Sequence, residues 1–211
     1  MSRKHLLRST LTGLGLAILG VGCAPDAATA PQATVAASLS PASSTLITSV
    51  VPAIVGKISV PIVARSTPLS RDITVTRDIG QSGGKITIGE AGLTLTFAPG
   101  AVQQTTAITV TAYAGKFVSY GFGPHGIHFS APVTIEQDAK KTSISNDVSG
   151  VSKLFGAYTP DGLSDVTADG RAVVSELRGT RSKIGTVLGH ERVESVSFVI
   201  EHFSGYILMG G

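Results

Sequence analysis

The sequence predicts an all-β fold, an antiparallel β-sandwich, and three observations lead to that prediction. The chain of 211 residues is 42% hydrophobic and 15% charged, with 25 Gly, 10 Pro and no Trp, a balance that suits short strands and many turns. Apolar and polar residues alternate with period two over much of the chain. Glycine and proline interrupt the alternating runs at short intervals, as they do between the strands of a sandwich.

Alternation is clearest in three segments, where isoleucine, leucine, valine or phenylalanine takes every second place and threonine lies between. This is the pattern of half-buried strands with β-branched polar residues outside. The three segments are 86–88, 93–97 and 108–112, and further strands are expected at 154–158, 172–177, 185–188 and 193–208. The polar segment 140–151 is expected to be a long loop or a strand crossing.

The first 22 residues have the pattern of a signal peptide. Arg3, Lys4 and Arg8 form a basic region, and residues 11–21 are an uncharged, mostly apolar run. A membrane-spanning helix needs about 20 apolar residues, so this run is too short to be one. We therefore expect residues 1–22 to be removed on export.

Cys23, the sole cysteine, follows Leu-Gly-Val-Gly at 19–22, and this arrangement resembles the bacterial lipobox. The resemblance implies that a diacylglycerol thioether on Cys23 attaches the mature protein to a membrane. Gly20 stands where the lipobox prefers leucine. The alternative is an ordinary secretory signal cut after Ala30, but Pro31 disfavours that cut. Because Ala24 rather than aspartate follows the cysteine, analogy with Gram-negative lipoproteins predicts the outer membrane.

Removal of the signal makes the chain neutral. The whole chain has 17 Lys+Arg and 14 Asp+Glu, and three of its basic residues, Arg3, Lys4 and Arg8, lie in the signal. The mature chain therefore has a formal charge of zero and no basic cluster interleaved with aromatics, which argues against nucleic acid as a partner. With Cys23 acylated, no thiol remains for a disulfide or for catalysis.

Between the signal and the alternating strands, the sequence predicts a tether followed by a transitional segment. Residues 23–45 are almost entirely Ala, Pro, Ser, Thr and Gln, with Asp26 as the one charge, and we expect them to be disordered. Residues 46–72 are more apolar, but Pro52, Lys57 and Pro61 interrupt them. Edge strands or a polyproline-like segment are the interpretations left open there, and residues 73–211 are expected to form the β-domain.

Three sequence blocks occur in order in that domain. They are Gly-Gly-Lys-Ile at 83–86, Gly-Leu-Thr-Leu-Thr-Phe-Ala-Pro-Gly-Ala-Val at 92–102, and Phe-Gly-Pro-His-Gly-Ile-His-Phe-Ser-Ala-Pro-Val at 122–133. Together they resemble the successive signatures of the ZU5 domain, over about residues 80–206. Ala98 departs from the family pattern, which often has a second proline there. The resemblance implies a β-sandwich that binds other proteins or packs against neighbouring domains, without a cofactor.

One triplet suggests chemistry. His202, Phe203 and Ser204 resemble the self-cleavage site of some ZU5-containing proteins. In that mechanism His202 would act as base while the Ser204 hydroxyl attacks the Phe203 carbonyl carbon. The peptide bond between Phe203 and Ser204 would break as an ester forms on the Ser204 oxygen, and water would hydrolyse that ester. The alternative is structural, because His202 continues the apolar face of an alternating strand, and the same triplet recurs at 128–130.

Other sites are not predicted. His125, His128, His190 and His202 lack the spacing of metal ligands, so neither a metal nor a cofactor is expected. Two functional hypotheses remain. The first is a membrane-anchored module of the bacterial cell envelope that binds a protein or a polysaccharide, or has a structural role, and is not an enzyme. The second is a domain that cleaves itself once between Phe203 and Ser204.

Overall fold

A computed structural model describes residues 44–49, 51, 57–159 and 166–210, and it confirms the predicted all-β sandwich. Two six-stranded antiparallel sheets pack face to face. The expected signal peptide, Cys23 and most of the expected tether lie outside the described residues. Within the described ranges, no helix has the length and apolar character needed to cross a membrane.

The first sheet contains the longest strands and one strand that begins at Thr45, the last residue of the expected tether, and continues into the proline-interrupted segment. Its spatial order is β1 (Thr45–Thr48), β14 (Arg181–Val187), β15 (His190–His202), β10 (His128–Asp138), β6 (Leu93–Phe97) and β5 (Gly84–Ile88). The sandwich therefore includes residues that precede position 73, with β1 as an edge strand paired to β14.

The second sheet faces the first. Its order is β13 (Glu176–Gly179), β11 (Leu154–Thr159), β16 (Gly205–Gly210), β9 (Ser119–Gly123), β7 (Thr106–Ala112) and β4 (Ile73–Ile79). Threonine hydroxyls on β4 and β7 pair across the strands at 2.9 Å, for Thr74 with Thr111 and for Thr76 with Thr109. Such polar cross-strand pairs account for the threonines of the alternating pattern.

Two short ribbons and three turns of 3₁₀ helix complete the described chain. One ribbon pairs β2 (Ile58–Pro61) with β12 (Arg171–Val174), and the other pairs β3 (Ala64–Leu69) with β8 (Gly115–Phe117). The β2–β12 ribbon covers the outer face of the second sheet and forms a second apolar cluster with it. The 3₁₀ turns are Ala139–Lys141, Ser143–Asn146 and Val151–Lys153, and they occupy the segment expected to be a loop or crossing.

The main core lies between the two sheets and consists of the apolar residues of the alternating strands. Leu93, Leu95 and Phe97 of β6 are at most 2% exposed. The sheets meet closely at Gly156, where an added Cβ would overlap the ring of Phe198. Burial of each large aliphatic side chain contributes about 1.5–3 kcal/mol, so this core is the main source of stability.

Three predicted strands have different ends in the structure. The segment 193–208 is two strands, because the chain turns at Phe203 and Ser204 and crosses from the first sheet to the second. The segment 172–177 is likewise divided between β12 and β13, which lie in different sheets. Leu188 ends no strand and lies in a turn. Apolar residues are frequent on both sides of each crossing, so the apolar pattern alone does not show where the chain changes sheets.

Candidate functional site

The triplet lies at a corner of the sandwich. His202 is the last residue of β15, Gly205 is the first residue of β16, and only Phe203 and Ser204 connect the two sheets. We call residues 202–205 the corner. Because only two residues make the crossing, the side chains and the backbone of the corner lie close to strands of both sheets.

The second copy of the triplet lies beside the first. His128 of β10 is the register partner of His202, and the two imidazole rings are 5.8 Å apart. Phe129 and Phe203 meet edge to face at 4.6 Å between ring centroids. The repetition that the sequence shows at 128–130 and 202–204 is thus a pair of adjacent strand ends that place histidine near solvent and phenylalanine inward.

Phe203 closes this end of the core. Its side chain is 2% exposed and contacts the rings of Phe97, Phe122 and Phe129. The Phe203 N–H donates to the Ile127 carbonyl oxygen at 3.0 Å, which ties the corner to the loop before β10. Aromatic pairs of this geometry add about 0.5–1.5 kcal/mol each beyond the burial of area.

His202 faces Tyr206 and Glu176. Its Nδ1 lies 3.5 Å from the Tyr206 hydroxyl, and its Nε2 lies 3.6 Å from Glu176 Oε2. The Tyr206 hydroxyl also donates to the His202 carbonyl oxygen at 3.2 Å. Burial, followed by the negative charge of Glu176, raises the pKa of the Tyr206 hydroxyl, so it remains a donor in neutral solution. The ring of Tyr158 meets the imidazole edge to face at 5.1 Å.

Ser204 is nearly buried and bonds to a tyrosine. Ser204 is 7% exposed. Its side-chain hydroxyl donates to the Tyr158 hydroxyl oxygen at 3.4 Å. The Ser204 carbonyl oxygen accepts from the Phe122 N–H at 3.1 Å. The two hydrogen bonds tie Ser204 to β11 and β9, the two neighbours of β16 in the second sheet.

For self-cleavage, the Ser204 hydroxyl would have to reach a base, which requires about 2.6–3.2 Å between heavy atoms. Among the described residues, His202 and Ser204 share no hydrogen bond, and each faces a tyrosine instead. The non-glycine residue with positive φ in the described chain is Leu188, so neither Phe203 nor Ser204 has a left-handed backbone. The observed arrangement stabilises the corner, and a nucleophilic arrangement would need new side-chain rotamers.

An open pocket of about 500 Å³ lies over the corner and is lined by His125, Gly126, His128, Tyr158, His202, Phe203 and Ser204. It presents imidazole and phenol groups to solvent. In the part of the chain that the structure describes, no group of three or more His, Cys, Asp or Glu side chains is arranged to hold a metal ion.

The sequence did not indicate Tyr158 and Glu176 as partners of the triplet. They lie on β11 and β13, which the fold brings to the corner from 46 and 26 positions away from Ser204 and His202. A motif read along the chain has no signal for such partners. Tyr206 was visible as part of the sequence after Ser204, but its hydrogen bond back to His202 depends on the crossing between sheets.

Comparison with known proteins does not assign a family or a function to this site. No protein-family model matches the chain, and no curated protein matches it either.

Proposed function

We propose that this chain is a lipid-anchored, extracytoplasmic module of the bacterial cell envelope, with a ZU5-like β-sandwich that binds another protein or a polysaccharide or has a structural role. The observation that carries the proposal is Cys23. It is the sole cysteine, it follows a basic and apolar leader directly, and a segment of Ala, Pro, Ser and Thr separates it from a folded sandwich.

The geometry of the corner supports a binding or structural role over an enzymatic one. The side chains of His202 and Ser204 have tyrosine partners, and Phe203 is packed in the core. In the described domain the Ser204 hydroxyl donates to Tyr158 and not to His202, the residue that would have to accept its proton. The ZU5 resemblance rests on the three sequence blocks and is compatible with the antiparallel sandwich.

The pocket over the corner offers one surface for a partner. His125 and His128 are exposed there, and Tyr158 is half-buried with its ring edge toward His202. Flat imidazole and phenol rings with polar tips suit contacts to peptide groups or sugar hydroxyls. The mature chain carries no net charge, which favours neutral partners over polyanions.

The anchor is tested by replacing Cys23 with Ser. Cells fed an alkyne fatty acid should label the wild-type protein, and Cys23→Ser should lose the label and leave the membrane fraction. Ala28→Ser is the matched control, because it adds a hydroxyl in the same region but keeps the cysteine, and it should remain labelled. If Cys23→Ser stays in the membrane fraction, the lipid-anchored function is wrong.

The predicted location is tested by fractionating the two membranes of the envelope. Because Ala24 follows the cysteine, the acylated chain should be recovered with the outer membrane, and Ala24→Asp should shift it to the inner membrane. Recovery of the wild type with the inner membrane would contradict the predicted location and would leave the anchor itself untouched.

A further inference from the structure

The hairpin that joins β14 to β15 ends in an exposed apolar residue with a left-handed backbone. We call residues 187–190 the tip. Leu188 has φ of 51° and Gly189 has φ of 79°, and these two residues form the whole turn. The Leu188 side chain is 95% exposed, and that of Val187 is 46% exposed. Leu188 is the most exposed of the large hydrophobic residues in the described chain.

Leucine is the wrong residue for this turn if stability of the isolated domain is the only requirement. A two-residue hairpin with positive φ at both positions favours Asn-Gly, because asparagine and glycine tolerate the left-handed region. Leucine there is strained by its Cβ and gains no burial in return. An observed backbone outlier that is also exposed and apolar is a reason to look for a binding role.

The tip lies at the end of the sandwich where the chain from Cys23 enters. β1 runs antiparallel to β14, and its first residue, Thr45, is opposite Ile184, three positions before Val187. Ser44, the first described residue, therefore lies at the end of the sandwich that carries the tip. Leu46, the second residue of β1, is 70% exposed on the same pair of strands.

We propose that the tip inserts Leu188 and Val187 into the surface of the lipid bilayer that holds Cys23. This inference rests on the proposed acyl anchor. Twenty residues, 24–43, separate Cys23 from Ser44. Their composition predicts a disordered chain, and a disordered chain of that length would have an r.m.s. end-to-end distance of about 25 Å. Anchoring thus keeps the tip at high effective concentration near the bilayer, where one or two apolar side chains suffice for contact.

Charged residues near the tip are of both signs. Lys183 and Glu194 form an ion pair at 2.7 Å between Nζ and Oε2, and Glu191 and Arg192 are exposed beside each other. Electrostatic attraction to anionic headgroups is therefore not the basis of the contact. The proposal requires that contact depend on the apolar side chains, and that it change little between 50 and 500 mM salt, concentrations at which charge attraction differs strongly.

The absence of tryptophan from the chain permits a direct test. Full-length acylated protein carrying Leu188→Trp is reconstituted in vesicles that contain brominated phosphatidylcholine. The matched control is Val199→Trp, because Val199 is also exposed, at 44%, but lies on β15 near the corner, 11 positions after Leu188. The tryptophan at 188 should be quenched and blue-shifted, and the one at 199 should be neither. Equal quenching at both positions, or none at 188, would overturn the proposal.

A second variant separates membrane contact from turn strain. Leu188→Asn fits the left-handed region, so it should raise the melting temperature by roughly 2–4 °C. With Val187→Trp as reporter, the same substitution should lower the tip's bilayer occupancy about tenfold, because the leucine side chain is lost. Unchanged occupancy with a raised melting temperature would mean that Leu188 does not contact lipid.

The quenching experiment distinguishes a wrong prediction of the acyl anchor from a wrong prediction of the tip contact. If Cys23 carries no lipid, the chain will not incorporate into vesicles, and a tryptophan introduced at 188 or at 199 will not be quenched. If the chain incorporates but tryptophan at 188 remains unquenched, the anchor stands and the tip contact is wrong.

Discussion

The connections at the two ends of β15 differ strongly in burial. The strand begins at the tip, where Leu188 is 95% exposed, and it ends at the corner, where Phe203 is 2% exposed. Its 13 residues separate the two by about 40 Å at the usual rise of a strand. The comparison shows how one strand of the sheet can present an unsupported turn at one end and a fully packed crossing at the other.

The side chains of the corner have contacts within the domain, and the Leu188 side chain at the tip is almost fully exposed. At the corner, Phe203 packs on three rings, while His202 and Ser204 each face a tyrosine hydroxyl. At the tip, an unfavourable backbone is combined with an exposed apolar side chain. The residues of the corner therefore stabilise the domain. The residues of the tip do not, and contact with a partner outside the domain, the proposed lipid bilayer, gives a reason for them. The following predictions test that division.

The largest effect is expected from Phe203→Ala. Removal of a fully buried aromatic ring from the end of the core should lower the free energy of unfolding by about 3–5 kcal/mol. Phe129→Ala is the matched control, because its ring touches the same cluster but is only partly buried, so its cost should be smaller. Urea denaturation of the two variants and the wild type measures the difference. Equal losses would mean that the two copies of the triplet support the core alike.

The second effect concerns alkaline pH. Burial raises the pKa of the hydroxyls of Tyr206 and Tyr120 above the ordinary value near 10. Above pH 10 the unfolded chain therefore loses protons that the folded chain keeps, so stability is complete below pH 10 and falls as the pH rises. Each tyrosine should contribute a slope of about 1.4 kcal/mol per pH unit.

Tyr206→Phe and Tyr120→Phe measure these contributions in denaturation series between pH 9 and 12. Each variant should have a shallower decline than the wild type, and the double variant should be shallower still. At pH 7 the Tyr206→Phe variant should lose only about 1 kcal/mol, the value of its hydrogen bond to the His202 carbonyl. A decline that is unchanged in both variants would show that other groups cause the alkaline loss.

The same comparison shows what the sequence could and could not predict. The alternating segments predicted the two sheets, because period-two patterns record which side of a strand is buried. The crossing at Phe203 and Ser204 was not predicted, because the alternating residues of β15 are followed after only two residues by the apolar run of β16, so the segment 193–208 has the pattern of one long strand. Its partners Tyr158 and Glu176 come from other strands, and a single sequence does not reveal such pairings.

The sequence also did not predict the turn at the tip, because the residues of this turn are not typical of its conformation. Leu188 was assigned to a strand because it is apolar and follows Gly185, Thr186 and Val187, while the turn lacks the Asn-Gly signal of its type. A leucine in a left-handed conformation contradicts local propensity, and only the backbone of the folded chain reveals it. The signal peptide, the tether and the acylation of Cys23 lie outside the described residues and stay predictions.

The smallest effect is expected from Ser204→Ala, and it decides between the two functional hypotheses. Cleavage between Phe203 and Ser204 would release residues 204–211, which could remain paired with the second sheet under native conditions. Mass spectrometry under denaturing conditions, after long incubation with hydroxylamine to trap an ester, would reveal the loss. Because the Ser204 hydroxyl faces Tyr158 and His202 faces Tyr206, we expect the wild type to stay intact and Ser204→Ala to differ from it by one oxygen atom. Loss of the peptide from the wild type but not from Ser204→Ala would instead show that the corner rearranges into a reactive geometry with Ser204 as its nucleophile.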